Sequence, residues 1–218
     1  MVKYIFFDFD GTISDAKKVT YEALAATLVD NDYKFNRAKL KKLMGLKTQQ
    51  ILAEFGIDKS NVKKVKAKFF SKAINDVLTN GLKLCAPVEP LYQLKKGGVK
   101  LIVLSNAEKS FLDASIKVLG LKKLFNKVYG SRPNDTKDKI LKKLFKKYNI
   151  RAKDVIYVGD RFTDIEYAHK AHCIAVATHN KCAWSTKKQI LDERPDYIIS
   201  NFKELKEIVE RLNSKLNK

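Results

Sequence analysis

Five short apolar runs of strand length alternate with stretches that carry a helical repeat, and this alternation narrows the possible folds more than any other feature of the chain. The runs are Tyr4–Phe9, Lys100–Leu104, Val155–Val158, Ile174–Val176 and Tyr197–Ile199, rich in β-branched and aromatic residues. Continuous apolar runs, rather than alternating ones, belong to strands covered on both faces. Between them lie amphipathic helices. Ile140, Leu141, Leu144, Phe145 and Tyr148 form one apolar stripe, with Lys139, Lys142, Lys143, Lys146 and Lys147 on the opposite face. Leu205, Ile208, Val209, Leu212 and Leu216 form another. The pattern predicts an α/β, Rossmann-like parallel sheet with helices on both faces. Ligands of such sheets sit at the carboxyl ends of the strands, so chemistry is to be sought there.

One region interrupts the alternation. From Asp15 to Pro87 no strand is evident, and helical stretches at Tyr21–Val29, Ala38–Met44 and Val62–Val77 are punctuated by Asn31, Gly45, Gly56 and Asn80–Gly81. So long a segment without a strand reads as a structured insertion and not as a loop. The expected division is a core domain of residues 1–14 and 88–218, with an inserted all-helical cap domain over 15–87.

Composition limits the functional classes. With 218 residues, 45% of them hydrophobic, the chain can fill a core and is not disordered. Three unevenly spaced cysteines imply no disulfide framework and suit a reducing interior. The apolar start, Tyr4 to Phe7, is stopped by Asp8, which makes neither a signal segment nor a membrane span. A cytoplasmic monomer or dimer without a membrane partner is expected. The net charge of +20 raises the rival reading of a nucleic-acid-binding protein. However, the basic residues are 38 lysines and only six arginines, whereas specific recognition favours arginine forks. Lysines such as Lys63, Lys64, Lys66 and Lys68 fall on the wet faces of helices. No specific nucleic-acid partner is expected, only salt-sensitive adhesion.

Four stretches carry polar residues where chemistry would be placed. Asp8-Phe9-Asp10-Gly11-Thr12 closes the first strand with two carboxylates two residues apart. In a strand such residues share a face, and two crowded anions call for a cation or a proton between them. Mg²⁺ suits them, because it takes one or two carboxylates together with phosphate oxygens and water. Ser105-Asn106 ends the second strand and could hold a phosphate oxygen. Lys137 opens a helix, where dipole stability favours acids and where a cation makes sense facing an anion. Gly159-Asp160 ends another strand, with Asp164 four residues on. Each has an ordinary reading as well: solvated acids before a turn, a turn-starting Ser-Asn, one lysine among many, acids capping a helix. His169, His172, Cys173, His179 and Cys182 lie close in sequence but match no zinc template.

Together, and in this order, the four stretches resemble the haloacid dehalogenase superfamily, and the helical insertion is similar to that family's type-one cap. The closer similarity is to the phosphoglycolate phosphatase branch, through Phe-Asp-Phe-Asp-Gly-Thr-Ile-Ser-Asp, Leu-Ser-Asn and Tyr-Val-Gly-Asp-Arg-Phe-Thr-Asp-Ile. The resemblance implies a Mg²⁺-dependent phosphatase acting on a small phosphorylated metabolite through an aspartyl-phosphate. Asp8 would be the nucleophile and Asp10 the acid and base. Mg²⁺ would be held by Asp8, the Asp10 carbonyl and Asp160, with Asp164 acting through water or from behind. Ser105, Asn106 and Lys137 would bind the phosphoryl oxygens. Many relatives carry Lys-Pro at the third motif, so Arg132, before Pro133, is the alternative cation to Lys137. Gly45, Leu46 and Lys47 fall where related caps place a substrate-facing loop. A sugar phosphomutase of the β-phosphoglucomutase type uses the same scaffold and stands as the second reading, ahead of a basic binding protein.

Overall fold

The computed structural model describes residues 1–132 and 135–214. In chain order, β1 (Tyr4–Phe7) is followed by four helices: α1 (Lys17–Val29), α2 (Arg37–Leu43), α3 (Thr48–Glu54) and α4 (Lys59–Asn80). Then come α5 (Glu89–Lys96), β2 (Lys100–Leu104), α6 (Lys109–Val118), β3 (Lys127–Tyr129) and α7 (Lys137–Tyr148). The chain continues through β4 (Val155–Gly159), α8 (Phe162–Lys170), β5 (Ile174–Thr178), α9 (Lys187–Asp192), β6 (Tyr197–Ile199) and α10 (Phe202–Ser214).

The six strands form one parallel sheet in the order β3-β2-β1-β4-β5-β6. β1 is central, with Phe7 level with Val103 of β2 and Val158 of β4. Its side chains alternate between two separate cores. Ile5 and Phe7 pack with α5, α6 and α10, including Leu91, Leu112 and Phe202. Phe6 packs on the other face with Ile140, Leu141 and Phe145 of α7 and Ile165 of α8. Both faces are therefore dry, as the unbroken apolar runs require. The α/β doubly wound class follows.

The helices α1 to α4 build a third core of their own, with Leu24, Leu28, Leu40, Leu52 and Phe69 buried in it. Phe111 at the start of α6 enters that core and meets Phe70 at 6.0 Å between ring centroids. This contact is one of the points where the helical layer rests on the sheet layer.

The structure departs from the sequence expectations in a few places. β1 stops at Phe7, and beyond it the Asp8 N–H still donates to the Val158 carbonyl at 2.8 Å. Phe9 then opens a turn, its carbonyl accepting from the N–H groups of Ile13 and Ser14. Asp10 thus lies past the strand, and the two-residue face rule does not by itself place it beside Asp8. β3, at three residues on the sheet edge, is an added strand. Tyr148 is 41% exposed instead of joining the stripe of α7, where Leu144 and Phe145 are buried. Leu216 and Pro133 fall outside the described residues.

Candidate active site

Asp8, Ser105 and Asp160 each follow directly on the carboxyl end of a strand, β1, β2 and β4, and these three strands are neighbours in the sheet. Parallel pairing puts their ends on one edge, so residues far apart in sequence face a single cleft. Lys137, the first residue of α7, and Asp164, in the first turn of α8, reach in from the helices. Asp8, Lys137, Asp160 and Asp164 are all buried.

The contacts within this group are ionic. Lys137 Nζ lies 2.7 Å from Asp164 Oδ1 and 3.0 Å from Asp8 Oδ1. Burial alone would lower the lysine's pKa, but the charges of Asp164 and Asp8 hold it well above its ordinary value. Asp160 receives Thr12 Oγ1 at 3.0 Å on one oxygen and the Trp184 backbone N–H at 2.7 Å on the other. Neither donor is a cation. Burial, then the charges of Asp8 and Asp164, push the Asp160 carboxyl well above the usual range. Asp8 is raised chiefly by burial, against the pull of Lys137.

Asp8, Asp160 and Asp164 each offer an oxygen within 4.8 Å of the others. Three acids around one ammonium leave negative charge in excess, to be met by protons or by a divalent cation. The donors are all hard oxygens, the set that Mg²⁺ or Ca²⁺ takes, not a soft metal. The residues fit a bound divalent ion. Asp10 contributes differently. Its carboxylate accepts from Ser14 Oγ at 3.0 Å, outside the cluster of three acids, while its carbonyl accepts from Trp184 Nε1 at 3.2 Å. Burial, then the nearby charge of Asp8, pushes the Asp10 carboxyl up to about 7, the range that suits a group trading a proton at neutral pH.

A cavity of about 50 Å³ opens above these groups, walled on one side by Asp8, Asp10 and Ser105 and on the other by Met44, Gly45 and Leu46 from the helical layer. The Ser105 hydroxyl also accepts from the Ala107 N–H at 3.2 Å, and Asn106 lines the cavity beside it. Arg132 is exposed and does not line that cavity; its carbonyl takes Lys47 Nζ at 2.9 Å. Lys47 also donates to the Asp135 carbonyl at 2.5 Å, tying the α2–α3 turn to the loop before α7.

The model of the haloacid dehalogenase-like hydrolase family matches residues 5–178, which hold all of these strand-end residues. The chain belongs to that family. A phosphoglycolate phosphatase of Synechococcus elongatus is 23% identical over 95% of this chain and 97% of its own length. Among solved structures, a predicted phosphoglycolate phosphatase from Haemophilus somnus superposes with a TM-score of 0.79 at 23% identity, covering 95% of this chain and 98% of that one. CbbY from Rhodobacter sphaeroides, solved in complex with phosphate, gives 0.81 at 14% identity over 94% and 96%. These two likenesses speak for the fold of this haloacid dehalogenase-like hydrolase.

Three site residues, Trp184, Tyr157 and Arg161, are not among the candidates that the sequence offers. Trp184 touches both Asp10 and Asp160. Tyr157, inside β4, directs its hydroxyl at the Leu104 carbonyl (3.1 Å) and Asp164 Oδ1 (3.4 Å), with Lys137 Nζ 5.6 Å from its ring. Arg161, present in the sequence only as part of a motif, lines the cavity. A tyrosine in an otherwise aliphatic strand is a usable signal for a buried polar partner. Trp184 gives none, because its loop has no motif. Gly11 shows why the first motif needs a glycine: φ is +92°, and a Cβ there would come within 2.5 Å of both Asp160 Oδ2 and Trp184 Cδ1.

Proposed function

We propose that the chain is a Mg²⁺-dependent phosphatase that hydrolyses a small phosphomonoester through an aspartyl-phosphate on Asp8. The observation that carries this reading is the placement of Asp8: buried at the end of the central strand, 3.0 Å from a buried lysine, and grouped with two further acids. Asp8 Oδ attacks phosphorus in line, and the ester oxygen leaves with a proton from Asp10. Asp10 then removes a proton from the water that releases phosphate from Asp8. Lys137 holds Asp8 in position, and with Ser105 and Asn106 it binds the oxygens of the phosphoryl group. Mg²⁺ would be held by Asp8, the Asp10 carbonyl and Asp160, with Asp164 behind, and would supply positive charge beside the phosphoryl oxygens. Residues 15–87 act as a cap, with Gly45 and Leu46 facing the alcohol part of the substrate and excluding water, while Lys47, expected beside them, is held instead by the Arg132 and Asp135 carbonyls. The name of the Synechococcus elongatus relative points to phosphoglycolate as the first ester to try.

The test is hydrolysis of p-nitrophenyl phosphate by the full chain with and without Mg²⁺, in the native protein and in Asp8→Asn. Turnover should require the metal and fall by at least about 10³-fold in the variant, as expected for loss of a nucleophile. Metal-independent turnover, or turnover unaltered in Asp8→Asn, would refute the assignment. Interconversion of sugar phosphates with little free phosphate would identify a mutase instead.

A further inference from the structure

Arg161 is a buried guanidinium without a counter-ion. It is 8% exposed, and among the described residues no carboxylate lies within ion-pairing distance of it. One end, Nη1, donates to the Met44 carbonyl; Nε has no partner among the described residues. An arginine cannot shed its proton to relieve this, and a buried, unpaired charge is costly. Such an arrangement makes sense when the missing anion arrives with a ligand.

Its position says which part of a ligand. The Arg161 backbone is anchored to the core, since its N–H donates to Asp164 Oδ2 at 3.2 Å. The side chain crosses to the opposite wall, and a Cβ at Gly45 would lie 1.9 Å from Nη1. The guanidinium therefore lies against the turn between α2 and α3, over the sheet edge that carries Asp8 and Ser105. Among the described residues it is the one cation on the cavity wall; Lys137 is engaged between Asp8 and Asp164 and does not line that cavity. Much of the remaining wall on that side is apolar, including Leu24, Ile51, Phe69 and Phe70. An anion reaching this apolar chamber has a single cationic partner there.

We propose that Arg161 is a specificity-determining residue that pairs with an anionic group on the alcohol portion of the substrate. This rests on the phosphatase reading given above. The substrate class is then phosphomonoesters whose alcohol carries a carboxylate within a few bonds of the ester oxygen. A planar carboxylate matches the flat edge of a guanidinium. Gly45 belongs to the same device: any side chain there would displace the guanidinium from the chamber.

The test compares two esters of similar size, carboxymethyl phosphate (phosphoglycolate) and 2-hydroxyethyl phosphate, whose alcohol portion is uncharged, in the native chain, Arg161→Met and Arg161→Lys. The native enzyme should prefer the carboxylate ester in kcat/KM. Arg161→Met should shrink that preference by about 10–100-fold, mostly through KM of the carboxylate ester, as loss of a charged hydrogen-bonded pair predicts. Arg161→Lys should restore part of it. A purely structural role would lower both esters together and leave their ratio unchanged, and so would an arginine that binds the transferred phosphoryl group; either result overturns the proposal. If Arg161→Met does not fold, the native ratio and that of Arg161→Lys decide, with no preference in the first or no loss in the second counting against it. Absence of any turnover by the native chain, p-nitrophenyl phosphate included, removes the phosphatase reading and this inference together. Aryl phosphate turnover with an unaltered ester ratio removes the inference alone.

Discussion

Asp8 and Asp10 are chemically identical and two residues apart, yet their surroundings prepare them for different tasks. Asp8 lies against Lys137, which fixes the carboxylate that is proposed to attack phosphorus. Asp10 has, among the described residues, the Ser14 hydroxyl alone on its carboxylate, and burial pushes its pKa up to about 7, which lets it hold or release a proton at neutral pH. Trp184 links the same turn to Asp160, placing the single tryptophan of the chain against two of the proposed metal ligands. Its fluorescence should therefore report metal binding directly. Titrating Mg²⁺ should change the emission along a saturable curve in the native protein, and Asp160→Asn should flatten that curve. An emission indifferent to Mg²⁺ at millimolar concentrations would argue against an ion in contact with Asp10 and Asp160. At this scale the sequence discloses acids but not their supports. Asp8, Asp160 and Lys137 stand out because strand ends and helix starts concentrate chemistry. Arg161 and Trp184 matter through contacts spanning 117 and 24 residues respectively, and no local pattern carries such information.

Among the elements, long apolar runs and amphipathic stripes are legible because burial dictates them. β2 and β6 have the boundaries that the apolar runs predict, and β4 and β5 extend one or two residues further. β3 is not legible. Lys127–Tyr129 is too short to show a period, and it exists because it pairs with β2, a tertiary cause. The true end of β1 is likewise hidden, since the apolar spacing runs on to Phe9 while the ladder ends at Phe7 and the backbone turns toward Ser14. The entry to β4 carries its own test. Asp154, buried just before the strand, accepts from Arg151 Nε at 2.7 Å and Nη2 at 3.1 Å, and its backbone carbonyl accepts from the Lys3 N–H at 2.9 Å beside β1. The hydrogen bonds from Arg151 hold its carboxyl below the usual range. A carboxyl whose pKa is lowered on folding adds stability above its unfolded value of about 3.9, and that stability is lost as pH falls through the folded value. Asp154→Asn should accordingly lower Tm at pH 7, and the gap from the native protein should close below about pH 4. A gap that stays constant from about pH 7 to about pH 3 would show that the ion pair contributes nothing.

At the scale of the whole molecule, two layers divide the work. The sheet and its flanking helices are covered on both faces and hold the strand ends rigidly on one edge. The helices α1 to α4 pack around a core of their own residues that also takes in Phe111 of α6, which joins them to the sheet layer. The class of the sheet and the existence of the helical insertion are both legible, because each is written in periodicity over tens of residues. The meeting of the layers at Arg161, Gly45 and Lys47 is not, since it depends on how two independently packed surfaces come to face each other. The charge of +20 lies outside this scheme, carried by lysines on wet helix faces such as Lys63, Lys64 and Lys68.

In the proposed reaction Asp8 receives the phosphoryl group while Asp160 shares a divalent ion with it. A crystal of the native chain grown with Mg²⁺ and beryllium fluoride tests this most directly. The expected density is a trifluoroberyllate bonded to an Asp8 carboxylate oxygen, with Mg²⁺ touching both Asp8 and Asp160 and Lys137 against the fluorides. Beryllium fluoride on another residue, or an ion bound without Asp8 and Asp160, would contradict it.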